Sequence, residues 1–483
     1  MKTRKHRLTQ SALVGLFTLY GGHSMRAEES ATSSAIDIGS RLELFVDRCL
    51  VDRLENVNLR LHEPRQLPVP KSPLVGAYMT VIKDGDLYRA YYRDTDKGRP
   101  KKQGIRTHSK WWNHEEVYRY AESRDGCEWT FPELGLHEVR GSSKNNVIIA
   151  DMQHRIEHNF SPFLDTRTGV DTNERFKALA GSGEKVAGEG LFALVSSDGI
   201  HWKQKGHTAV IPGTHAPGSG GGFDSQNASF WSEAENLYVC YFRTWWTPFG
   251  KLRSIARTTS PDFVNWSKPV EMSPNLPGEH LYTNQTHPYF RAPHIYIALP
   301  TRIVPDRGMS TDILLMTTRA GSGQYDRLFT EAFIRPGLDP ARWGNRSNYA
   351  ALNVVPTGQT EMSIYHEHSG HRYVLRTDGF VSAHAGTREG ELLTKPLRFA
   401  GNKLIVNYST SAAGSLRIEI QKPDGTPNPG LRLDDCPAII GDSIEQPVRW
   451  SGNADLERLA GEPVRLRFVM TECDLYSFRF LGR

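Results

Sequence analysis

One phrase returns five times along this chain, and it limits the fold more than any other feature: a polar turn, then a strand rich in aromatic residues. Asp84-Gly85-Asp86 precedes Leu87 to Arg93 (LYRAYYR), and Glu233 to Asn236 precede Leu237 to Arg243 (LYVCYFR). Arg291 to His294 precede Ile295 to Leu299, and His368 to His371 precede Arg372 to Arg376. A weaker copy has Asn173-Glu174 before Arg175 to Leu179. The copies are anchored on Tyr88, Phe176, Tyr238, Tyr296 and Tyr373, at intervals of 58 to 88 residues. A second phrase joins Ser, a turn containing Asp, and Trp: Ser123 to Trp129, Ser197 to Trp202, and more loosely Ser260 to Trp266. Asp-Gly in the first two predicts hairpin turns with positive φ at both central positions. The Trp that follows is expected to pack between neighbouring sheets.

Each unit holds about four strand-like runs, and no segment keeps a helical period. Four strands in each of five units describe an all-β chain whose sheets close radially, a five-bladed β-propeller. The competing arrangements are a β-helix, for which these units are too long, and a set of sandwiches. The propeller is expected over 73–388. After Arg388 the texture changes to short alternating runs, such as Lys403 to Tyr408, Ser415 to Ile420 and Val464 to Val469, broken by Asp-Gly and Pro-Gly turns. A β-sandwich is expected there, over 389–483. Residues 28–72 hold one clear strand, Leu42 to Asp47, that closes or wraps the propeller.

The charges narrow the partners. Lys and Arg number 59 and Asp and Glu 54, but five of the basic residues fall within 1–27, which hold no acid. The rest of the chain is balanced, with no net field to draw it onto nucleic acid. Lys2 to Arg7, the apolar Ser11 to Tyr20 and the approach to Ala27 read as a secretory signal peptide over 1–27, cut after Ala27. The apolar stretch is too short to span a bilayer, and no later segment qualifies. The mature protein is expected to be secreted or periplasmic. Cys49, Cys127, Cys240, Cys436 and Cys473 are widely spaced with no CxxC, against a disulfide scaffold or a cysteine zinc site. They read as buried thiols, with a Cys436–Cys473 pair as the alternative.

Several stretches carry a resemblance: Leu44-Phe45-Val46-Asp47, His158 to Phe163 (HNFSPF), Phe223 to Asn227 (FDSQN), Pro463 to Phe468 (PVRLRF) and Asp474 to Phe478 (DLYSF). Together they resemble secreted bacterial proteins related to glycoside hydrolase families 32 and 43, over nearly the whole mature chain. The resemblance implies a five-bladed propeller, often followed by a sandwich, with sugar bound in the axial funnel and catalytic carboxylates on innermost strands. Two marks of those families are missing: the Trp-Met-Asn-Asp-Pro-Asn phrase of family 32 and the early Asp-Pro of family 43.

Glycoside hydrolysis needs two carboxyl groups flanking the bond, one as acid and one as nucleophile or base. If each innermost strand starts at the funnel, the useful acids lie about 12–15 residues before each anchor aromatic. Asp224 lies 14 before Tyr238 and Glu361 lies 12 before Tyr373, and these form the expected catalytic pair. Glu279, 17 before Tyr296, is the reserve. For each the competing reading is a cap or an ion pair. Arg93, Arg243, Arg302 and Arg376 recur at the far end of the anchor strand in four units. Such a ring suits a carboxylated or sulfated sugar, and inter-blade ion pairing is the alternative. His158 with Asn159, and His287, stand near expected inner strands as sugar-binding or proton-transfer groups, or as packed residues. Trp111-Trp112 and Trp245-Trp246 suit stacking on sugar faces or loop packing. His366-Glu367-His368 and His371 flank a turn, where alternate strand residues face opposite ways, so no metal centre is expected. A structural cation is left open, and no cofactor is expected. Gly218 to Gly222 lack the Lys-Ser/Thr of a phosphate loop and read as a rim loop delivering Asp224.

The expected function is an exported glycoside hydrolase-like protein acting on a poly- or oligosaccharide, including an anionic one, by carboxylate acid/base catalysis. The alternatives are a non-catalytic carbohydrate-binding propeller and a lyase on uronate-rich polysaccharide.

Overall fold

The computed structural model describes residues 35–97, 115–181, 189–215, 223–451 and 455–482. The expected signal peptide, Trp111-Trp112 and Gly218 to Gly222 lie outside the described residues. The chain is all-β: among the described residues the one α-helical segment is the single turn Ile156–Asn159. Among the described residues no helix is long and apolar enough to cross a membrane.

Antiparallel sheets follow one another along the chain. The first runs Ala77–Asp84, Leu87–Thr95, Glu116–Ser123, Val147–Ile149 in spatial order. The second runs Ser161–Leu164, Phe176–Gly181, Gly190–Ser196, Lys203–Gln204, and the third Ala228–Ser232, Leu237–Thr244, Ser254–Ser260, Val270–Glu271. The fourth is His287–Tyr289, Ala292–Ala298, Met316–Arg319, beside a separate three-stranded sheet of His280–Leu281, Thr301–Val304 and Ser310–Ile313. The fifth is Val355–Pro356, Glu361–Tyr365, Arg372–Arg376 and, on its outer edge, Arg65–Gln66, so a segment from before the first repeat completes the last sheet.

The first strands are neighbours. Ala77–Asp84 packs against Ser161–Leu164, that strand against Ala228–Ser232, and that against His287–Tyr289. On the other side of Ala77–Asp84, Val81 N–H donates to Leu352 O (3.1 Å) and Leu352 N–H to Met79 O (2.8 Å). Val354 N–H donates to His287 Nε2 (3.0 Å) and completes the circuit. One cavity of about 390 Å³ is lined from all five sheets, by Ile82, Phe163, Phe230, His287 and Val354 among others. Aromatic side chains fill the spaces between sheets because a large ring buries much apolar area at low entropic cost. Trp202 meets Phe160 at 4.9 Å and Tyr91 at 6.3 Å, and Trp129 meets Tyr365 at 5.7 Å.

The Ser-Asp-Trp phrase is a side-chain-built turn rather than the expected type I′ hairpin. Asp125, Asp198 and Asp262 each accept two backbone N–H groups ahead of them, from Cys127 and Glu128, Ile200 and His201, and Val264 and Asn265. A serine two residues earlier donates to each Asp: Ser123 (2.9 Å), Ser196 (3.0 Å) and Ser260 (3.0 Å). Asp and Ser side chains stand in for backbone partners in such turns. Only the residue after Asp takes positive φ, Gly126 at 70° and Gly199 at 78°, and in the third copy Phe263 takes 68°.

The C-terminal strands join an eight-stranded sheet with Glu43–Leu44, Val51–Glu55 and Val57–Leu61. Val381–Ala385, on the near side of the expected boundary at 388, belongs to it as well. Lys403–Gln421 and Arg465–Leu481 pair along most of their length, so the runs expected at 403–408 and 415–420 are one strand interrupted between Thr410 and Ser415. This sheet has its own apolar core, including Phe45, Leu404, Ile418, Phe468, Phe478 and Phe480. All five cysteines are free thiols.

Candidate functional site

Residues at or just before the first strands converge at the end of the ring opposite the cavity. Asp224 is the centre. Its Oδ2 accepts from Arg243 Nη2 (2.7 Å), and its Oδ1 faces His158 Nε2 (2.9 Å) and Tyr78 Oη (3.3 Å). Arg243 comes from the end of the neighbouring strand Leu237–Thr244 and keeps only 3% of its side chain exposed, whereas Asp224 keeps 37%. The carboxylate is therefore the open member of the pair. Burial alone would raise its pKa, but the Arg243 charge and the bonds from His158 and Arg243 hold it well below the usual carboxylate range.

His158 sits on the single helical turn, entered through Arg155 in the left-handed region (φ 56°). Its Nδ1 lies 2.9 Å from Glu116 Oε2 and 3.0 Å from Arg93 Nη1. Arg93 also donates to the His158 carbonyl (2.9 Å) and stands over the Tyr78 ring at 4.3 Å. Burial pushes Glu116 upward, but the His158 bond and the His158 and Arg93 charges outweigh it and leave its pKa lowered. Asn159 is fully buried: Nδ2 donates to Phe223 O (2.7 Å) and Oδ1 accepts from Gly181 N–H (2.8 Å). It fixes the chain beside Asp224.

Beneath the site, Glu367 accepts the backbone N–H groups of Tyr78 (3.0 Å) and Met79 (3.1 Å), and burial raises its pKa to about 8. On the other flank Tyr282 lies under Arg243 at 5.0 Å and meets Tyr349 edge-on at 5.6 Å. Trp245 is covered by Arg253 at 4.5 Å, and Trp246 is 58% exposed.

Of the residues expected from sequence, Asp224, His158, Arg93 and Arg243 thus form one network, with Asn159 bracing it. The others lie elsewhere. Glu361 begins the second strand of the fifth sheet and pairs with Arg372 (3.0 Å), sharing no partner with Asp224. Glu279 is buried in a turn, ion-paired to Arg327. Arg302 binds Asp312 (2.6 Å) and Thr330 O, and Arg376 reaches Asn407 (2.9 Å), Tyr408 O and Asp442. His366, Glu367 and His371 serve separate partners, Asn348 and Ser369, the Tyr78–Met79 backbone, and Leu67 O. Among the described residues no cluster of His, Cys, Asp or Glu is arranged to hold a metal ion.

His287 is buried between the fourth and fifth sheets. Its Nδ1–H donates to Gln285 O (2.8 Å) and its Nε2 accepts from Val354 N–H. Burial lowers its pKa to about 4, although the Gln285 bond works the other way. Between pH 6.5 and 4 the unfolded chain takes up a proton here that the folded chain refuses, so this histidine makes stability fall on acidification. From pH 7 to pH 5 its share is about 2 kcal/mol. Urea unfolding of wild type and His287→Gln at both pH values checks it: the variant is expected to lose less between them by about that amount.

Sequence reasoning missed Glu116, Tyr78, Tyr282, Tyr349 and Arg253. For Tyr282 a signal was present, since it lies 14 residues before Tyr296, as Asp224 lies 14 before Tyr238.

No protein-family model matches the chain, and no curated protein does. Solved structures do. The chain is similar to a glycoside hydrolase family 43 arabinoxylan arabinofuranohydrolase from Bacillus subtilis, at 12% identity and a TM-score of 0.39, over 85% of this chain and 96% of that one. It is similar to a β-1,2-mannobiose phosphorylase from Listeria innocua at 11% identity and 0.43, over 66% and 97%. It is also similar to an N-acetylgalactosamine deacetylase from F. plautii at 10% and 0.38, over 86% and 95%.

Proposed function

We propose that this protein is an exported five-bladed propeller with a C-terminal sandwich, and that it cleaves a glycosidic bond at the mouth of the ring, around Asp224. One observation carries the reading: a solvent-open carboxylate is held ionised by Arg243 and faced by His158 where the ends of the first strands meet. The propeller is supported by the circuit of first strands, their shared cavity and the outer-edge strand Arg65–Gln66. The separate core of the eight-stranded sheet supports the sandwich. Export rests on the basic and apolar stretches ahead of Ala27.

In this reading Asp224 is the ionised carboxylate, acting as nucleophile or base. Glu116 is not its opposite number, because the His158 ring fills the space between the two acids and leaves no room for a sugar. Glu116 and Arg93 orient the imidazole, and His158 is the proton carrier adjacent to Asp224. A second reading, a sugar-binding propeller without turnover, is favoured by a specific feature. Both carboxylates of the network are held low, and neither is a solvent-open acid kept protonated.

The test is product release from neutral, uronic and sulfated glycans by the mature chain and by Asp224→Asn. Wild type is expected to release product and the variant to lose at least about 100-fold, the scale of removing one preorganised charge. Undiminished release by the variant would move the chemistry away from Asp224. Glycan binding without release by either protein would establish the second reading.

A further inference from the structure

The first and third sheets carry the same device at the same rim, and they differ in the charge that stands beside the arginine. Arg93 lies five residues after Tyr88, and Arg243 five after Tyr238. On the adjacent strand Arg93 pairs in register with Tyr118, and Arg243 with Ile255. Two residues before each partner stand Glu116 in the first sheet and Arg253 in the third. Arg93 thus has an acid at its side (3.4 Å), while Arg243 has a second guanidinium.

Among the described residues no carboxylate lies within 4.0 Å of Arg253 or of Arg346. Arg253 is half-buried, stacked on Trp245 at 4.5 Å and on Tyr282 at 5.3 Å, and its Nε is buried without a hydrogen-bond partner. Arg346 donates to Tyr282 Oη at 3.4 Å from an exposed loop held at φ 54°. Burial, and then the Arg243 charge, press Arg253 below the ordinary guanidinium pKa. Around Asp224, the cations Arg93, Arg243, Arg253 and Arg346 outnumber two acids, Asp224 and Glu116, in a chain body whose charges balance as a whole. A half-buried guanidinium placed beside another cation is stabilised by an anion that supplies both charge and acceptor oxygens.

We propose that Arg253 and Arg346, set over the ring and at the hydroxyl of Tyr282, form a subsite for one oxyanion carried by the sugar that enters the Asp224 site. The carboxylate of a uronic acid and a sulfate ester share the required chemistry. The placement of that sugar rests on the carbohydrate reading above. The anion subsite itself does not need turnover.

The experiment is a calorimetric titration of the mature protein with galactose, galacturonate, galactose 6-sulfate and inorganic sulfate. Galacturonate or galactose 6-sulfate is expected to bind at least about tenfold more tightly than galactose, and the tighter of the two names the group. Arg253→Gln and Arg346→Gln are each expected to weaken that acidic sugar about tenfold, the size of one charge-assisted hydrogen bond. Asp224→Asn is expected to tighten it, because a nearby negative charge is removed. Circular dichroism of each variant establishes that it is folded. Equal binding of all three sugars, or folded Arg variants that bind the acidic sugar like wild type, overturns the proposal. Inorganic sulfate that binds as tightly as the acidic sugars, and equally well to both Arg variants, overturns it too. Loss of anion affinity in the Arg variants without any glycan cleavage leaves the subsite standing and removes the hydrolase reading alone.

Discussion

Asp378→Ala is expected to lower the free energy of unfolding by about 3–5 kcal/mol, the cost of removing one partner from a buried, charged network. Asp378 is fully buried and accepts four side-chain donors: Tyr289 Oη (2.7 Å), Arg291 Nη1 (2.7 Å), Asn407 Nδ2 (3.0 Å) and Ser477 Oγ (2.7 Å). Tyr289 belongs to the first strand of the fourth sheet, and Asn407 and Ser477 face each other in the eight-stranded sheet. One carboxylate therefore ties the two together, and alanine would leave four donors short of an acceptor. Backbone conformation adds to the penalty. Asp378 sits at φ 65°, a region that Asp and Asn tolerate better than alanine. Asp378→Asn keeps an acceptor and the backbone preference but not the charge opposite Arg291, so it should cost clearly less. Urea unfolding followed by tryptophan fluorescence measures both variants. A loss below about 1 kcal/mol for alanine, on the scale of an ordinary exposed ion pair, would mean the network does not act as a tie.

The all-β architecture was legible because the aromatic strands are themselves the repeating unit. Four of the five anchors, Tyr88, Phe176, Tyr238 and Tyr296, lie on the second strand of their sheets, and there the spacing argument led to Asp224. The fifth anchor, Tyr373, lies on the third strand, because the outer edge of its sheet is filled by Arg65–Gln66 from far upstream. Counting back from Tyr373 therefore arrives one strand too far out, at Glu361. Counting 14–15 back from Ile364 on the true second strand arrives at Tyr349, beside Tyr282. Glu116 left no local trace, since a long intervening segment separates it from Arg93, and only the fold brings the two together. The arginine recurrence was half informative. Arg93 and Arg243 share strand position and reach the network, whereas Arg302 and Arg376 lie on strands of different rank and find Asp312 and Asp442 instead.

Arg243→Met is expected to be the most damaging change to the site with the least change of shape. The methionine side chain is similar in length and apolar, so packing against Tyr282 is largely kept. The charge that lowers the Asp224 pKa is lost. Asp224 still has His158 and Tyr78 and is open to solvent, so the stability loss is expected at about 1–3 kcal/mol, below that of a fully enclosed broken pair. Function should suffer more. With Arg243 gone the Asp224 pKa rises and the carboxylate protonates at higher pH. The acid limb of the pH–rate profile is then expected to move upward, with the rate at its plateau reduced by about 100-fold or more. The sign follows from linkage: wild-type Asp224 stays ionised far into acid and contributes stability there, a contribution lost only as pH falls through its lowered pKa. In the variant the raised Asp224 pKa makes that contribution smaller and completes its loss at higher pH. Carboxyl-carbon NMR titration of Asp224 in both proteins reads the shift without a substrate. An unchanged Asp224 titration would show that His158 and the surrounding dipoles hold the carboxylate ionised by themselves. Arg243 would then serve the site through packing and the charge of its rim alone.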